Sequence, residues 1–285
     1  MNGILVIDKP GGLTSHDVVQ AIRKKFGTHK AGHLGTLDPM ATGVLPVCVG
    51  KATRIAQFLP SSPKEYVGEI RFGFSTDTYD REGLPTSREL PPANSADEVR
   101  CGMQSLTGIL EQVPPPFSAK KIGGVPSYKL ARKNQAVDMA PVRVEVEEFA
   151  LIGFEPPLAT FRVVCSAGTY VRSLAHDLGR KLGCGAHLTA LRRTRSGEFR
   201  IEEAVPLERI SETDLAPMDS LLASWPRIEV SGMDETRVVH GNQIRGDCPG
   251  DFARIFNKKG EFIAVASVES GWVHPRLVLT SLNSG

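Results

Sequence analysis

Hydrophobic positions recur along this chain in two periods, and the alternation between them predicts a mixed order of helices and strands. Residues 4–7 form a short apolar run of strand character, followed by a Lys-Pro-Gly-Gly turn. Thr14 or Ser15 then caps an amphipathic helix over 17–26. Residues 44–49 are apolar enough for a buried strand, and 51–58 read as helical. Tyr66, Gly68, Ile70 and Phe72 alternate with Val67, Glu69 and Arg71, the period of a strand whose two faces differ. The stretch 80–96 is polar and proline-rich and reads as a surface connection, with a helix expected over 96–106. Strands are expected near 142–151 and 160–166. The plainest helical signal is 170–182, where Val171, Leu174, Ala175, Leu178 and Leu182 share one face. From 184 to 196 the pattern suggests a loop and a short strand feeding Phe199 and Ile201.

A second boundary is expected at 224–227. Beyond it lie a strand at 228–230, a short helix over 234–239, and strands near 253–256, 262–268 and 276–279. The turn 257–260 suits a hairpin. These residues are enough for a small β-rich unit packed on a larger one.

Composition narrows the classes. A chain of 285 residues can bury one large core, or one large and one small. With 41% hydrophobic and 23% charged residues it is neither disordered nor fibrous. Asp8 and Lys9 interrupt the N-terminal apolar stretch, which argues against a signal peptide, and no apolar run approaches membrane-spanning length. The five cysteines are odd in number and widely spaced, which favours free thiols and a reducing cytoplasm. The histidines form no HExxH and no zinc-type spacing with cysteine, so no metal is indicated.

Charge is segregated although the net is only +2. Residues 162–200 hold eight Lys/Arg against two acidic residues, and 114–133 hold five basic residues and no acidic one. Residues 201–235 hold nine acidic residues against two arginines. Such segregation suggests a polyanion-binding face, with solvated helix faces as the plainer alternative.

The candidate chemistry lies in GHLGTLDPMATGVL, residues 32–45. Asp38 precedes Pro39, whose ring pushes the aspartate backbone toward an extended conformation. Gly32, Gly35 and Gly43 open backbone angles closed to other residues. An exposed loop presenting one carboxylate and running into a buried strand is a common way to mount a site. An isolated Asp-Pro would more often be an ordinary turn.

At this level of detail the chain resembles the bacterial tRNA pseudouridine-55 synthases, the TruB family, over essentially its whole length. The resemblance is carried by GILVIDKPGGLTSHDVV, GHLGTLDPMATGVLPVCVGKATR, KEYVGEIRFGFSTDTYDREG, QVPPPFSAKKIGGVPSYKLAR, CSAGTYVRSLAHDLG and GCGAHLTALRRTRSGEF, in that order. It implies an α+β pseudouridine-synthase fold, with a central, mostly antiparallel mixed sheet flanked by helices and a small C-terminal β-rich PUA-like domain. The implied domains are 1–224, catalytic, with a thumb-like insertion at about 114–140, and 225–285, RNA-binding. The implied reaction is isomerisation of uridine to pseudouridine at position 55 of the tRNA T loop by base flipping, glycosidic bond cleavage and rejoining through carbon, without cofactor or metal.

The resemblance also assigns roles. Asp38 matches the catalytic aspartate, and Arg172 the arginine that pairs with it; from the residue alone Arg172 is equally a phosphate contact or a helix surface charge. Tyr66 matches a tyrosine that stacks on the flipped base, Tyr170 a second tyrosine of the pocket, and Leu191 an apolar wall, although core packing would explain Tyr66 and Leu191 as well. His33 matches a histidine that fills space left by flipped bases. Lys9 and Pro10 match a loop supporting the catalytic loop, with a phosphate contact as the alternative for Lys9. Lys120, Lys121, Arg192 and Arg193 are expected along the RNA backbone. A T-arm stem loop is the implied partner, and a monomer is the default expectation. Two other functions share these residues: an RNA-folding factor whose modification is secondary, and a guide-RNA-dependent pseudouridylase. The thumb-like insertion favours a stand-alone enzyme.

Overall fold

Short-range rules account for most of the elements. Thr14 caps the helix Ser15–Lys25: its hydroxyl accepts from the Asp17 N–H at 3.1 Å, and the Asp17 carboxylate accepts from the Thr14 N–H at 2.9 Å. Arg23, Lys24 and Lys25 stand in its last turn, where cations suit the helix dipole. The helix Val171–Lys181 buries Val171, Leu174, Ala175 and Leu178, and each large apolar side chain so placed contributes about 1.5–3 kcal/mol. The computed structural model describes residues 1–93, 95–118, 121–122, 125–127 and 139–280, with the backbone alone at 121, 122, 125 and 126.

The first thirteen strands are β1 (Gly3–Lys9), β2 (Ala31–His33), β3 (Thr42–Val49), β4 (Lys64–Phe72), β5 (Gly108–Gln112), β6 (Lys121–Ile122), β7 (Val125–Pro126), β8 (Val142–Glu155), β9 (Leu158–Cys165), β10 (Ala186–Ser196), β11 (Phe199–Arg200), β12 (Val205–Pro206) and β13 (Ala216–Pro217). All but β6 and β7, which pair with each other, join one sheet of order β12-β1-β3-β10-β4-β9-β8-β5, with β2 on β3, β11 on β10 and β13 on β1. Pairing is antiparallel except between β1 and β12 and between β3 and β10. The helices Ser15–Lys25, Ala96–Gln104 and Val171–Lys181 cover one face, packing Val18, Ile22, Val99, Met103, Leu174 and Leu178 against Leu45, Val47, Ile70 and Phe161.

The pattern of residues misplaces one central element. Residues 184–196, expected as a loop and a short strand, contain the 11-residue β10, bonded on one side to β3 and on the other to β4. Its arginines disguise it, because Arg193 is buried and Arg192 ion-paired instead of facing water. The short β2 and the edge strand β5 carry no clear alternation and emerge only from their pairing.

A second sheet follows, formed by β14 (Arg227–Val230), β15 (Ile244–Arg245), β16 (Phe252–Asn257), β17 (Phe262–Glu269) and β18 (Trp272–Val278) in the order β14-β16-β17-β18-β15. Val230, Ile255, Ile263 and Val273, with Val238 from the helix Gly232–Val239, make its own small core. In the turn between β16 and β17 the Asn257 side chain accepts from the N–H groups of Lys259 and Glu261. Its opposite side, with Phe256, Phe262, Val265 and Leu277, packs on Ile4, Val44 and Cys48 of the main sheet. The two sheets therefore share a hydrophobic seam behind β1 and β3, on the side away from the helices.

Candidate active site

Residues 34–41 join β2 to β3 and carry Asp38. Gly35 and Gly43 take positive φ values, 93° and 97°, and bracket the loop. Gly43 is also a close approach: a Cβ there would stand 2.2 Å from the Arg193 carbonyl oxygen on the neighbouring strand. Gly32 lies in β2 with open space around it and no positive φ, so its expected backbone role is not needed.

The loop is fixed from beneath by buried polar groups. Ser15 accepts from the Leu37 N–H at 2.8 Å and donates to the Leu37 carbonyl at 3.1 Å. Gly12 N–H donates to the Pro39 carbonyl, and Lys9 Nζ donates to the carbonyls of Pro10, Leu13 and Pro39 at 2.9, 2.6 and 3.2 Å. Arg193, with no exposed surface, donates to the carbonyls of Val44, Thr36 and Gly35. These two buried cations hold backbone where RNA contacts were expected. Lys9 thus has its loop-supporting role and not the phosphate contact; burial pushes its ammonium down to about 8. Arg193, expected along the RNA backbone, has its guanidinium enclosed and directed onto loop carbonyls.

Arg172, on the first turn of its helix, reaches Asp38 across 134 residues of sequence. Its Nε and Nη2 lie 2.9 and 3.0 Å from the two carboxylate oxygens, a side-on pair that orients as well as attracts. The remaining donors meet the Thr78 carbonyl at 3.0 Å, the Phe117 carbonyl at 3.0 Å and Asp80 Oδ2 at 3.4 Å. The Arg172 side chain is 6% exposed and that of Asp38 35%, so the arginine is the buried support and the carboxylate faces outward.

Asp80 was expected to open a surface connection, yet it is 4% exposed. It accepts from the Thr78 hydroxyl at 2.6 Å and the Glu82 N–H at 3.0 Å while facing Arg172. Within the polar segment 75–83, Asp80 is a buried ionic partner of Arg172. Gln112 of β5 was missed as well. Its amide grips the Tyr170 backbone by both edges, accepting from the N–H at 2.8 Å and donating to the carbonyl at 3.1 Å, which sets the start of the Arg172 helix. Ser173 adds a bond to the Val113 carbonyl.

A cavity of about 200 Å³ opens over this pair. Asp38 and Arg172 stand at one part of its wall with Thr36 and Leu37; Tyr66, Leu191 and Tyr170 supply aromatic and apolar surface; Lys64, Gly168 and Thr169 complete the lining with Val171. Register explains the grouping: Tyr66 pairs with Arg193 and Gly68 with Leu191, so Lys64, Tyr66 and Leu191 project from one face of the sheet. Burial holds the Tyr66 phenol above its usual range.

Other expected residues lie off this wall. Pro10 contributes its carbonyl to Lys9. His33 sits on β2, paired with Val47, its Nδ1 buried and its imidazole held below its usual range by burial first and by Arg193 next. Arg192 forms a two-pronged ion pair with Asp8, at 3.0 and 2.8 Å. Arg162 bridges Glu65 and Glu148. Much of the basic run 162–200 therefore serves internal pairing instead of forming one RNA-facing stripe. Lys120 lies outside the described residues, as does the side chain of Lys121.

Residues 23–171 match the family model described as TruB family pseudouridylate synthase (N terminal domain), more than half of the chain. The chain belongs to the TruB family. A second model, the tRNA pseudouridylate synthase B C-terminal domain, matches residues 172–223. Asp38 and Tyr66 fall in the first matched region and Arg172 and Leu191 in the second, so this TruB site is closed by both. Similar proteins include tRNA pseudouridine synthase B of Solibacter usitatus, 42% identical over 98% of this chain and 100% of its own. Another, from Syntrophotalea carbinolica, is 52% identical over 77% of this chain and 71% of its own. Among solved structures, a chain of an H/ACA RNP bound to a substrate RNA containing 2′-deoxyuridine is 27% identical, with a TM-score of 0.70 over 99% of this chain and 86% of that one.

Proposed function

We propose that this protein isomerises uridine to pseudouridine at position 55 in the T loop of tRNA, acting on the T arm as a stand-alone enzyme. The observation that carries the reading is Asp38 held side-on by buried Arg172 at the wall of a cavity whose other surfaces are Tyr66, Tyr170 and Leu191. The relatives named tRNA pseudouridine synthase B support the tRNA substrate.

The arrangement suits the chemistry. The reaction breaks the bond from C1′ to N1, turns the uracil, and joins C1′ to C5, so the base must leave its stack and stay enclosed while detached. Tyr66 and Leu191 offer the flat, apolar walls that replace stacking. The Asp38 carboxylate, fixed in angle by two nitrogens of Arg172, is placed to attack the sugar or the base or to assist elimination at the sugar; each route uses the same fixed oxygen pair. Because the loop is tied to Lys9, Ser15 and Arg193 before substrate arrives, little reorganisation remains for the reaction to drive. The β-rich unit of residues 227–278 is assigned as an RNA-binding, PUA-like module in this reading.

The test is to incubate the purified protein with an unmodified T-arm stem loop, with no guide RNA present, and to map pseudouridine chemically. Product at position 55 is expected from the wild type and none from Asp38→Asn, with tRNA affinity largely retained in the variant. Product at a different uridine overturns the substrate, and substantial turnover by Asp38→Asn overturns the role of the carboxylate.

A further inference from the structure

Among the described residues, Lys64 stands on the cavity wall without a partner. It begins β4, two residues before Tyr66 and on the same face, and it lines the cavity with Asp38, Tyr66 and Leu191. Its Nζ lies against the Gly35 backbone, 2.9 Å from where a Cβ on that residue would be. Arg193 Nη1 is 3.7 Å from the same point, so two cations meet above the start of the catalytic loop. Arg193 directs its donors onto loop carbonyls. Lys64, among the described residues, forms no ion pair and donates no hydrogen bond from its amine.

The charged groups around Lys64 are known from every side. Arg193 comes from β10 and Cys165 from β9, the strand paired with β4 at Lys64; His33 feels its charge from β2, and Asp38 and Arg172 line the same cavity. Asp38 is already bound by Arg172. Burial, and then Arg193, push the Lys64 ammonium down to about 8. A partly buried cation with no acceptor is unfavourable unless something arriving in the cavity meets it.

We propose that Lys64 is a catalytic residue, whose ammonium donates a hydrogen bond to a carbonyl oxygen of the target uracil and stabilises the charge on the base while it is detached from C1′. This rests on the uridine-isomerising reading above. When the bond from C1′ to N1 breaks, its electron pair leaves with the base, and the negative charge spreads over N1 and the two carbonyl oxygens. C1′ is satisfied meanwhile by the Asp38 carboxylate or by loss of a ribose proton to it. When C1′ joins C5, the C5 proton leaves and N1 takes one up, so the uridine is isomerised with no net gain or loss. Lys64 keeps its proton throughout. Its bond to the base strengthens only as charge develops, which is the kind of contact that speeds a reaction without tightening ground-state binding. A phosphate contact would do the opposite. The position beside Tyr66, on the inner wall and not on exposed surface, favours the base.

The experiment compares wild type, Lys64→Met and Lys64→Arg in single-turnover release of tritium from tRNA labelled at C5 of uridine, with enzyme saturating, from pH 6.5 to 9, alongside tRNA affinity by filter binding and thermal melting. Lys64→Met is expected to slow the saturated rate by about 10²–10³-fold, the effect of removing one preorganised donor, with affinity changed less than about threefold. The wild-type rate should fall above about pH 8 as the ammonium is lost, and the fall should be shallower in Lys64→Met, where only the loop tie at Lys9 still titrates in that range. If Lys64→Met does not fold, Lys64→Arg decides: it should keep most of the rate and show a shallower alkaline fall than the wild type. An unchanged saturated rate with weakened affinity in Lys64→Met, or an alkaline fall as steep in both variants as in the wild type, overturns the assignment. A wild type that makes no pseudouridine removes the functional reading itself, and this one with it.

Discussion

Arg172→Lys tests how much of the site depends on the shape of one cation instead of its charge. A guanidinium has five N–H donors in a rigid fork. Here Nη1 and Nη2 make three hydrogen bonds, to the Thr78 carbonyl, Asp38 Oδ1 and the Phe117 carbonyl, and Nε and Nη1 add ion-pair contacts to Asp38 Oδ2 and Asp80 Oδ2. An ammonium has three donors radiating from one atom and cannot span acceptors served by separate nitrogens, so even if the lysine reaches the pocket about two charge-assisted contacts are lost. A hydrogen bond involving a charged group contributes about 1.5–3 kcal/mol, which puts the loss at about 3–6 kcal/mol. Expressed at the transition state, that is about 10²–10⁴-fold in rate. The assay is single-turnover tritium release at saturating enzyme, with a melting curve to separate lost stability from lost catalysis. Charge is conserved, so tRNA affinity should move by only a few-fold. A folded Arg172→Lys variant within tenfold of the wild-type rate would refute the claim that the side-on geometry, and not the positive charge alone, is what Asp38 requires.

Two further outcomes follow from the supports of the loop. Lys9→Met strips donors from the carbonyls of Pro10, Leu13 and Pro39; set against the relieved burial of the ammonium, the net cost should be about 2–4 kcal/mol, read from urea unfolding, and a shift below about 1 kcal/mol would contradict the buried-tie role. Gly43→Ala places a methyl 2.2 Å from the Arg193 carbonyl at a φ of 97°, so strain and overpacking together should cost about 2–5 kcal/mol. Its unfolding midpoint should drop accordingly; a variant as stable as wild type would show that β3 and β10 can part there without penalty.

Local periodicity carries far in this chain. The helix Val171–Lys181, the capping box at Thr14 and the alternation through β4 were legible because each depends on residues within a few positions of one another. Asp38 stood out for the same reason: Asp-Pro between glycines is a local statement about backbone shape. Apart from the Arg172–Asp38 pair, which only the family resemblance supplied, what escaped were residues whose meaning lies in a distant partner. Asp80 and Gln112 look like surface polar residues until Arg172 and the Tyr170 backbone are brought against them. Lys64 reads as an ordinary strand lysine until Arg193 and Gly35 close around it. The basic stretch of residues 162–200 looked like an RNA-facing run, because counting charges along a chain cannot tell an arginine aimed at phosphate from one spent on Glu65, Asp8 or a loop carbonyl.

The sequence by itself determined most of the elements and the two-part division of apolar residues, and it singled out Asp38 as an exposed loop carboxylate whose role came from the family resemblance, since side-chain period, capping and turn chemistry act over a turn of helix or a pair of strand residues. Only the tertiary structure decided which cations serve the site. Arg172 meets Asp38 across 134 residues, and Arg193 meets Gly35 across 158. Contacts of that separation are set by strand order and register, and a charge has no direction until the fold supplies the group it faces.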